Sequence, residues 1–195
     1  MGKLILASSS PRRQQLLRQI GLEFDVVPSE IKEDFIEGES PQDHVLRLAE
    51  AKAHKVGAIY PHRWVIGADT AVSIDGMILG KPQTDREAYQ MLSMLSGRDH
   101  LVVTGVSVYQ LAKGKGETIA VETSVRIKTL EPEEITWYIR TGEPFDKAGG
   151  YAIQGRGAFM VQRIEGSYTN VVGLPLCELL EVLNHMEAID LLVRS

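Results

Sequence analysis

The 195-residue chain has one cysteine, Cys177, so it cannot close an internal disulfide, and it has no CxxC pair or Cys/His cluster with zinc spacing. His44, His54, His62, His100 and His185 are scattered singly. Aromatic residues make up only 6%, and positive charge is not in excess: 21 Lys and Arg stand against 26 Asp and Glu, a formal net charge of -5. A protein that coats nucleic acid needs a basic face, so no stable nucleic-acid complex is expected, and only a local basic pocket is compatible with this balance. No apolar run approaches the ~20 residues of a membrane span, and the N-terminus lacks the apolar core of a secretory signal. No internal repeat or low-complexity linker breaks the chain. These absences predict a soluble cytoplasmic protein with no membrane partner, folded as a single domain over 1–195.

What is present alternates between strand-like and helix-like segments. Lys3 to Ala7 reads as a short buried strand, and Ser10-Pro11 as the cap and first position of a helix carrying Leu16, Leu17 and Ile20 before Gly21. EFDVVPSEI is a second extended piece. Ser40, Pro41 and Asp43 open a helix through SPQDHVLRLAEAKAHKVGA. RWVIGADTAVSIDGMILGKP predicts a strand, a turn at Asp75-Gly76 and a return strand, and Thr84 with Glu87 forms a capping box before a helix ending at Gly97. Two alternating runs, HLVVTGVSVYQLA and ETIAVETSVRIKTL, pair across Lys113 to Gly116. A helix over 132–141, a strand near 159–164 and a closing helix over 175–186 complete an α/β chain whose long hairpins imply a mixed sheet.

Five features strain the ordinary rules. Arg12 and Arg13, in ASSSPRR, fall in the first helical turn, where the helix dipole disfavours cations. Lys52 shares a helical stripe with Val45, Leu48, Ala49 and Val56, so it must snorkel, pair or meet an anion. Asp69 follows the apolar Trp64, Val65 and Ile66, at the expected mouth of a buried strand, where an acid either caps a turn or carries chemistry. Gly80-Lys81-Pro82 fails as a P-loop, being one residue short of the spacing and lacking Ser/Thr, so Lys81 is a phosphate contact or a surface lysine. DKAGGYAIQGRG clusters glycines around Asp146, Lys147 and Gln154, which suits turns or close approach to a ligand. Taken together, cations without evident acidic partners (Arg12, Arg13, Lys52, Lys81, Lys147) and acids near strand ends (Glu30, Glu33, Asp69) are what a metal-bound polyphosphate requires.

The ordered combination ASSSPRR, LAEAKA, GADT, GKP, DKAGGYAIQG and SYTNVVGLPL resembles the Maf family of nucleoside triphosphate pyrophosphatases over essentially the whole chain. The resemblance implies a fold like that of inosine-triphosphate pyrophosphatases, an elongated mixed β-sheet with two α/β lobes flanking a cleft. It implies hydrolysis of a nucleoside triphosphate to monophosphate and pyrophosphate with a divalent metal, Mg or Mn, in a cytoplasmic protein that is often a homodimer. Arg12, Thr70 and Gln154 match the subgroup acting on dTTP and UTP, whereas the sister subgroup, acting on 7-methyl-GTP, has tryptophan and glutamate in place of Arg12 and Gln154. By the same resemblance Asp69 is the proton acceptor, Glu33 and Asp69 are metal ligands, and Ser8, Arg13, Lys52, Lys81 and Lys147 bind the triphosphate. The rival readings are a non-enzymatic nucleotide-binding regulator of septum formation and an enzyme for 7-methyl-GTP.

Overall fold

The computed structural model describes residues 4–189, and Lys3, expected to begin the first strand, lies outside them. The strands are β1 (Leu4–Leu6), β2 (Phe24–Val26), β3 (Val65–Ile74), β4 (Met77–Leu79), β5 (Asp99–Gln110), β6 (Lys115–Ile127) and β7 (Val161–Glu165). The helices are α1 (Pro11–Gln19), α2 (Pro41–Ile59), α3 (Asp85–Leu95), α4 (Pro132–Ile139), α5 (Tyr168–Val172) and α6 (Leu176–His185). All seven strands join one sheet in the order β2-β1-β3-β5-β6-β7, with β4 paired to β3. Helical crossovers through α1 and α2 make β1 parallel to β2 and β3, and the rest pairs antiparallel, so the sheet is mixed as expected.

Alternation along the strands sorts the core. On one face, Leu4, Leu6, Ile66, Ala68, Val106 and Val108 pack with α1 and α6. On the same face farther along, Val72, Ile74, Val102, Val125 and Ile127 pack with α3 and α4. Thr70 falls between Ala68 and Val72, and Thr104 between Val102 and Val106, so a polar row divides the two cores. Its groups are bonded to one another: Thr70 Oγ1 lies 3.0 Å from Thr104 Oγ1, Thr104 donates to Asn170 O at 3.1 Å, and Asn170 Nδ2 reaches Thr123 Oγ1 at 2.9 Å. The two lobes are these two cores.

The opposite face belongs to α2, whose Val45, Ala53 and Val56 meet Ile5, Val65, Ala71 and Val103. Gly67 and Gly105 allow this contact, because a Cβ on either would overlap the α2 main chain at Ala49 or Val45. Two glycines thus set how near α2 lies to β3, and with it how near Lys52 lies to Asp69.

Several local details depart from expectation. β3 does not end near Asp69 but runs on to Ile74, because β5 pairs with it continuously from Val65 to Ser73. The turn after β5 is a 3-10 turn over Leu111–Lys113 closed by Gly114 at φ 58, so β6 starts at Lys115. Ser10 occupies the cap position of α1 without a side-chain cap bond, and α5 had no counterpart in the sequence reading. Among the described residues no helix is long and apolar enough to cross a membrane. Gly105→Ala should destabilise the fold by about 1–3 kcal/mol through overpacking, read as a lower urea midpoint with an unchanged m-value.

Candidate active site

One edge of β3 has an interruption. It pairs there with β1 only at Val65 and Ile66 and with β4 only from Val72 to Ile74, so residues 67–71 face no strand. Asp69 is therefore mid-strand, yet it sits beyond the carboxyl ends of the parallel segment, where open α/β sheets hold ligands. A cleft of about 730 Å³ opens at this gap. Ser8, Arg12, Arg13, Glu33, Lys52, Asp69, Thr70, Lys81, Lys147 and Gln154 all line it, although they come from well-separated stretches of the chain.

The α2 side of the cleft centres on Lys52. Its buried Nζ lies 2.5 Å from Glu33 Oε1 and 2.6 Å from Asp69 Oδ1, and Glu33 Oε2 is 3.5 Å from Lys81 Nζ. Burial alone would raise the Glu33 carboxyl, but Lys52, joined by Lys81, outweighs it and holds the group below the ordinary glutamate range. Glu33 rides on the segment 27–40, which has no regular strand or helix and is strapped to α2. Lys55 donates to Glu30 O at 2.7 Å, Arg47 donates to Asp34 O at 3.1 Å, and Arg47 Nε and Nη2 grip Glu39 at 2.6 and 2.7 Å. His44, stacked on Phe35 at 4.8 Å, adds Nδ1 to Glu39 at 2.9 Å.

The opposite side centres on Arg13. Its Nε donates to Gly173 O at 2.7 Å, Nη1 to Ser8 Oγ at 3.1 Å and Ala68 O at 2.9 Å, and Nη2 to Thr70 Oγ1 at 3.0 Å. The guanidinium takes the place of the missing strand by satisfying Ala68 O. Burial lowers its pKa from the usual value, with Asp69 and Glu33 opposing. Arg13 is expected to bind the triphosphate, and in the structure four of its five N–H groups are engaged inside the protein. Thr70 likewise uses its hydroxyl on Arg13 and Thr104. Ser8 Oγ accepts from Arg13 and from Ser10 N at 3.3 Å, which leaves its own proton for a ligand. The first main-chain bond of α1 is Gln14 N to Ser10 O, so the Arg12 and Arg13 N–H groups have no acceptor within the helix.

A third group closes the mouth. Asp146 accepts from Arg12 Nη1 at 3.3 Å and from Lys147 Nζ at 2.6 Å, and Gln154 Nε2 donates to Tyr168 Oη at 3.3 Å. The expectation that the cleft cations lack acidic partners is therefore corrected: Arg12, Lys52, Lys81 and Lys147 are each paired with an acid distant in sequence or adjacent to it. Helical and strand periodicity do not reveal pairs made across a cleft.

The model of the Maf-like protein family matches residues 3–186. The chain belongs to this family. A Maf-like relative from Geotalea uraniireducens, named dTTP/UTP pyrophosphatase, is 54% identical over 187 residues, covering 96% of this chain and 96% of the relative. A relative of the same name from Syntrophus aciditrophicus is 50% identical over 184 residues, 94% of this chain and 90% of its own length. Among solved structures, the Staphylococcus aureus Ham1 protein aligns over 82% of this chain and 80% of its own at 17% identity and a TM-score of 0.48.

Sequence reasoning left Asp146 without a role and passed over Glu39, Arg47 and Tyr168. Only Asp146 carried a signal, its place beside Lys147 in DKAGG. The Glu39 carboxyl, gripped by Arg47 and His44 against the cost of burial, is held at about 2, below its ordinary 4.5. Its folded-state pKa is depressed, so its contribution is complete above about pH 4.5 and fades as the pH falls toward 2. The stability gap between wild type and Glu39→Gln should therefore be constant from pH 7 to 5 and shrink below 4.5 in denaturant titrations, whereas a gap of fixed size would show that the carboxylate is not the stabilising group.

Proposed function

We propose that this chain is a nucleoside triphosphate pyrophosphatase that converts dTTP and UTP to the monophosphate and pyrophosphate. The observation that carries the reading is the buried Lys52–Asp69 pair at 2.6 Å in a cleft lined by four further cations. Relatives of about 50% identity over nearly the whole chain bear the same activity in their names.

In this reading water attacks the α-phosphorus, the bond from that phosphorus to the oxygen leading to the β-phosphorus breaks, and pyrophosphate leaves. Asp69 accepts the proton of the attacking water. Lys52 ties down Oδ1, and Oδ2, which has no hydrogen-bond partner among the described residues, is the oxygen assigned to the water. Lys52, Lys81 and Lys147, with the Ser8 hydroxyl and the Arg12 and Arg13 N–H groups of α1, neutralise the triphosphate and the charge that grows on the leaving group. Arg13 serves chiefly by holding Ser8, Thr70 and Gly173 in place.

The donors fit a divalent ion. Glu33 and Asp69 converge on one ammonium, so their hard oxygens lie close together. Two hard carboxylates together with substrate phosphates are a usual donor set for magnesium. Glu33 and Asp69 would hold the ion, Mg or Mn, which supplies charge neutralisation at the phosphate oxygens when bound.

Selection of the base falls to Gln154 and Arg12. An amide offers a donor and an acceptor side by side, matching the O4 and N3–H edge of uracil and thymine. Thr70, whose hydroxyl is engaged, acts through the position it gives Arg13. A cytoplasmic site of action and a homodimer complete the reading.

A panel of triphosphates assayed with Mg and with Mn should show dTTP and UTP cleaved in preference to CTP, purine nucleotides and 7-methyl-GTP. Dominant cleavage of a purine substrate would overturn the selection rule, and nucleotide binding without product would favour the regulator. Asp69→Asn should lower kcat by about 10²–10⁴ while a non-hydrolysable UTP analogue still binds. Glu33→Gln should raise the metal concentration needed for half-maximal rate.

A further inference from the structure

Asp146 lies on the 3-10 turn Glu143–Asp146, whose Pro144 is buried and whose Phe145 packs on the core of α3 and α4. Arg12 is the second residue of α1, which belongs to the other core. Their contact, Arg12 Nη1 to Asp146 Oδ2 at 3.3 Å, thus joins the two lobes across the cleft mouth. The second carboxylate oxygen takes Lys147 Nζ at 2.6 Å, and Lys147 is fixed further by donating to Glu143 O at 2.6 Å. Asp146 is 66% exposed, and a pair so open to water adds little to folding. What it fixes is the direction of a long, otherwise mobile side chain.

We infer that Asp146 is a positioning residue for nucleotide selection, holding the Arg12 guanidinium toward the base, while Lys147 keeps its seat through its bond to Glu143 O even without the acid. The inference rests on the proposed pyrimidine triphosphate reading. The carboxylate uses one Arg12 N–H and leaves the others for the ligand, so ordering is done before substrate arrives. Lys147 and Arg12 together outweigh burial and hold the Asp146 carboxyl below the ordinary range, so it stays ionised wherever the enzyme works. One acid against two cations also leaves a single net positive charge at this corner. Removing the acid therefore has two effects of opposite sign: base selection weakens, and attraction for polyphosphate strengthens. A merely loosened site would lose both.

The test uses the full chain as wild type, Asp146→Asn, Asp146→Glu, Arg12→Ala and the double variant Arg12→Ala/Asp146→Asn. Asp146→Asn should lower the ratio of kcat/KM for UTP over CTP about fivefold. It should also tighten inhibition by inorganic pyrophosphate by a similar factor and leave Tm within about 2 °C. Asp146→Glu should recover most of the ratio, and Asp146→Asn should change nothing further in the Arg12→Ala background. An unchanged ratio, or an equal drop without Arg12, would overturn the role of Asp146. If wild type cleaves neither UTP nor dTTP, the parent reading fails, and Asp146 is then judged by calorimetric binding of the α,β-imido analogues of UTP and CTP. Equal binding ratios in wild type and Asp146→Asn would refute it, and no binding of either analogue would refute both.

Discussion

Lys52 is an ammonium buried on the core-facing side of a helix, a position that costs several kcal/mol unless the charge is matched. Asp69 and Glu33 match it, and much of the architecture exists to make that match. The helix must come close to β3, which Gly67 and Gly105 permit by having no Cβ. The strap carrying Glu33 must be held down, which Lys55, Arg47 and the buried His44 do from the same helix. Loss of either carboxylate leaves a buried charge half compensated, so helix, strand and strap are coupled through one nitrogen atom.

The other constraint is the interrupted edge of β3. A strand edge needs partners for its carbonyls, and here a guanidinium supplies one where no strand can. The same guanidinium reaches Gly173 and Thr70, so the floor of the cleft is stiff before any ligand enters. Rigid charges aimed at a site where charge will develop need no reorganisation during reaction, which is how electrostatic catalysis acts. Arg12, Lys52, Lys81 and Lys147 are each held by an acid beforehand. In the proposed reading, phosphate oxygens join these carboxylates around a nearly fixed set of positive charges.

The parts of this arrangement visible in the sequence were those with a local signature. Capping residues, the Asp75-Gly76 turn and the alternation of β5 and β6 locate most elements, and a lysine on an apolar helical stripe or a cation in a first helical turn betrays a ligand or a partner. Hidden parts depended on distance in the chain. The turn at Asp75-Gly76 signals that the strand runs past Asp69, but nothing local says that its other edge is left open beside that residue, because the gap is decided by where β1 and β4 pair. Nothing near Arg13 says that its acceptors are Ala68, Thr70 and Gly173, and nothing near Arg12 points to Asp146. Short motifs name the residues of the cleft, whereas their division into struts, counter-ions and substrate-facing groups comes only from the fold.

In the proposed reading, this cleft directs water to the α-phosphorus beside Asp69. Hydrolysis of UTP in ¹⁸O-labelled water, followed by mass spectrometry of both products, reads the attacked atom directly. UMP should carry one ¹⁸O and pyrophosphate none. Label in pyrophosphate, with none in UMP, would contradict this reading.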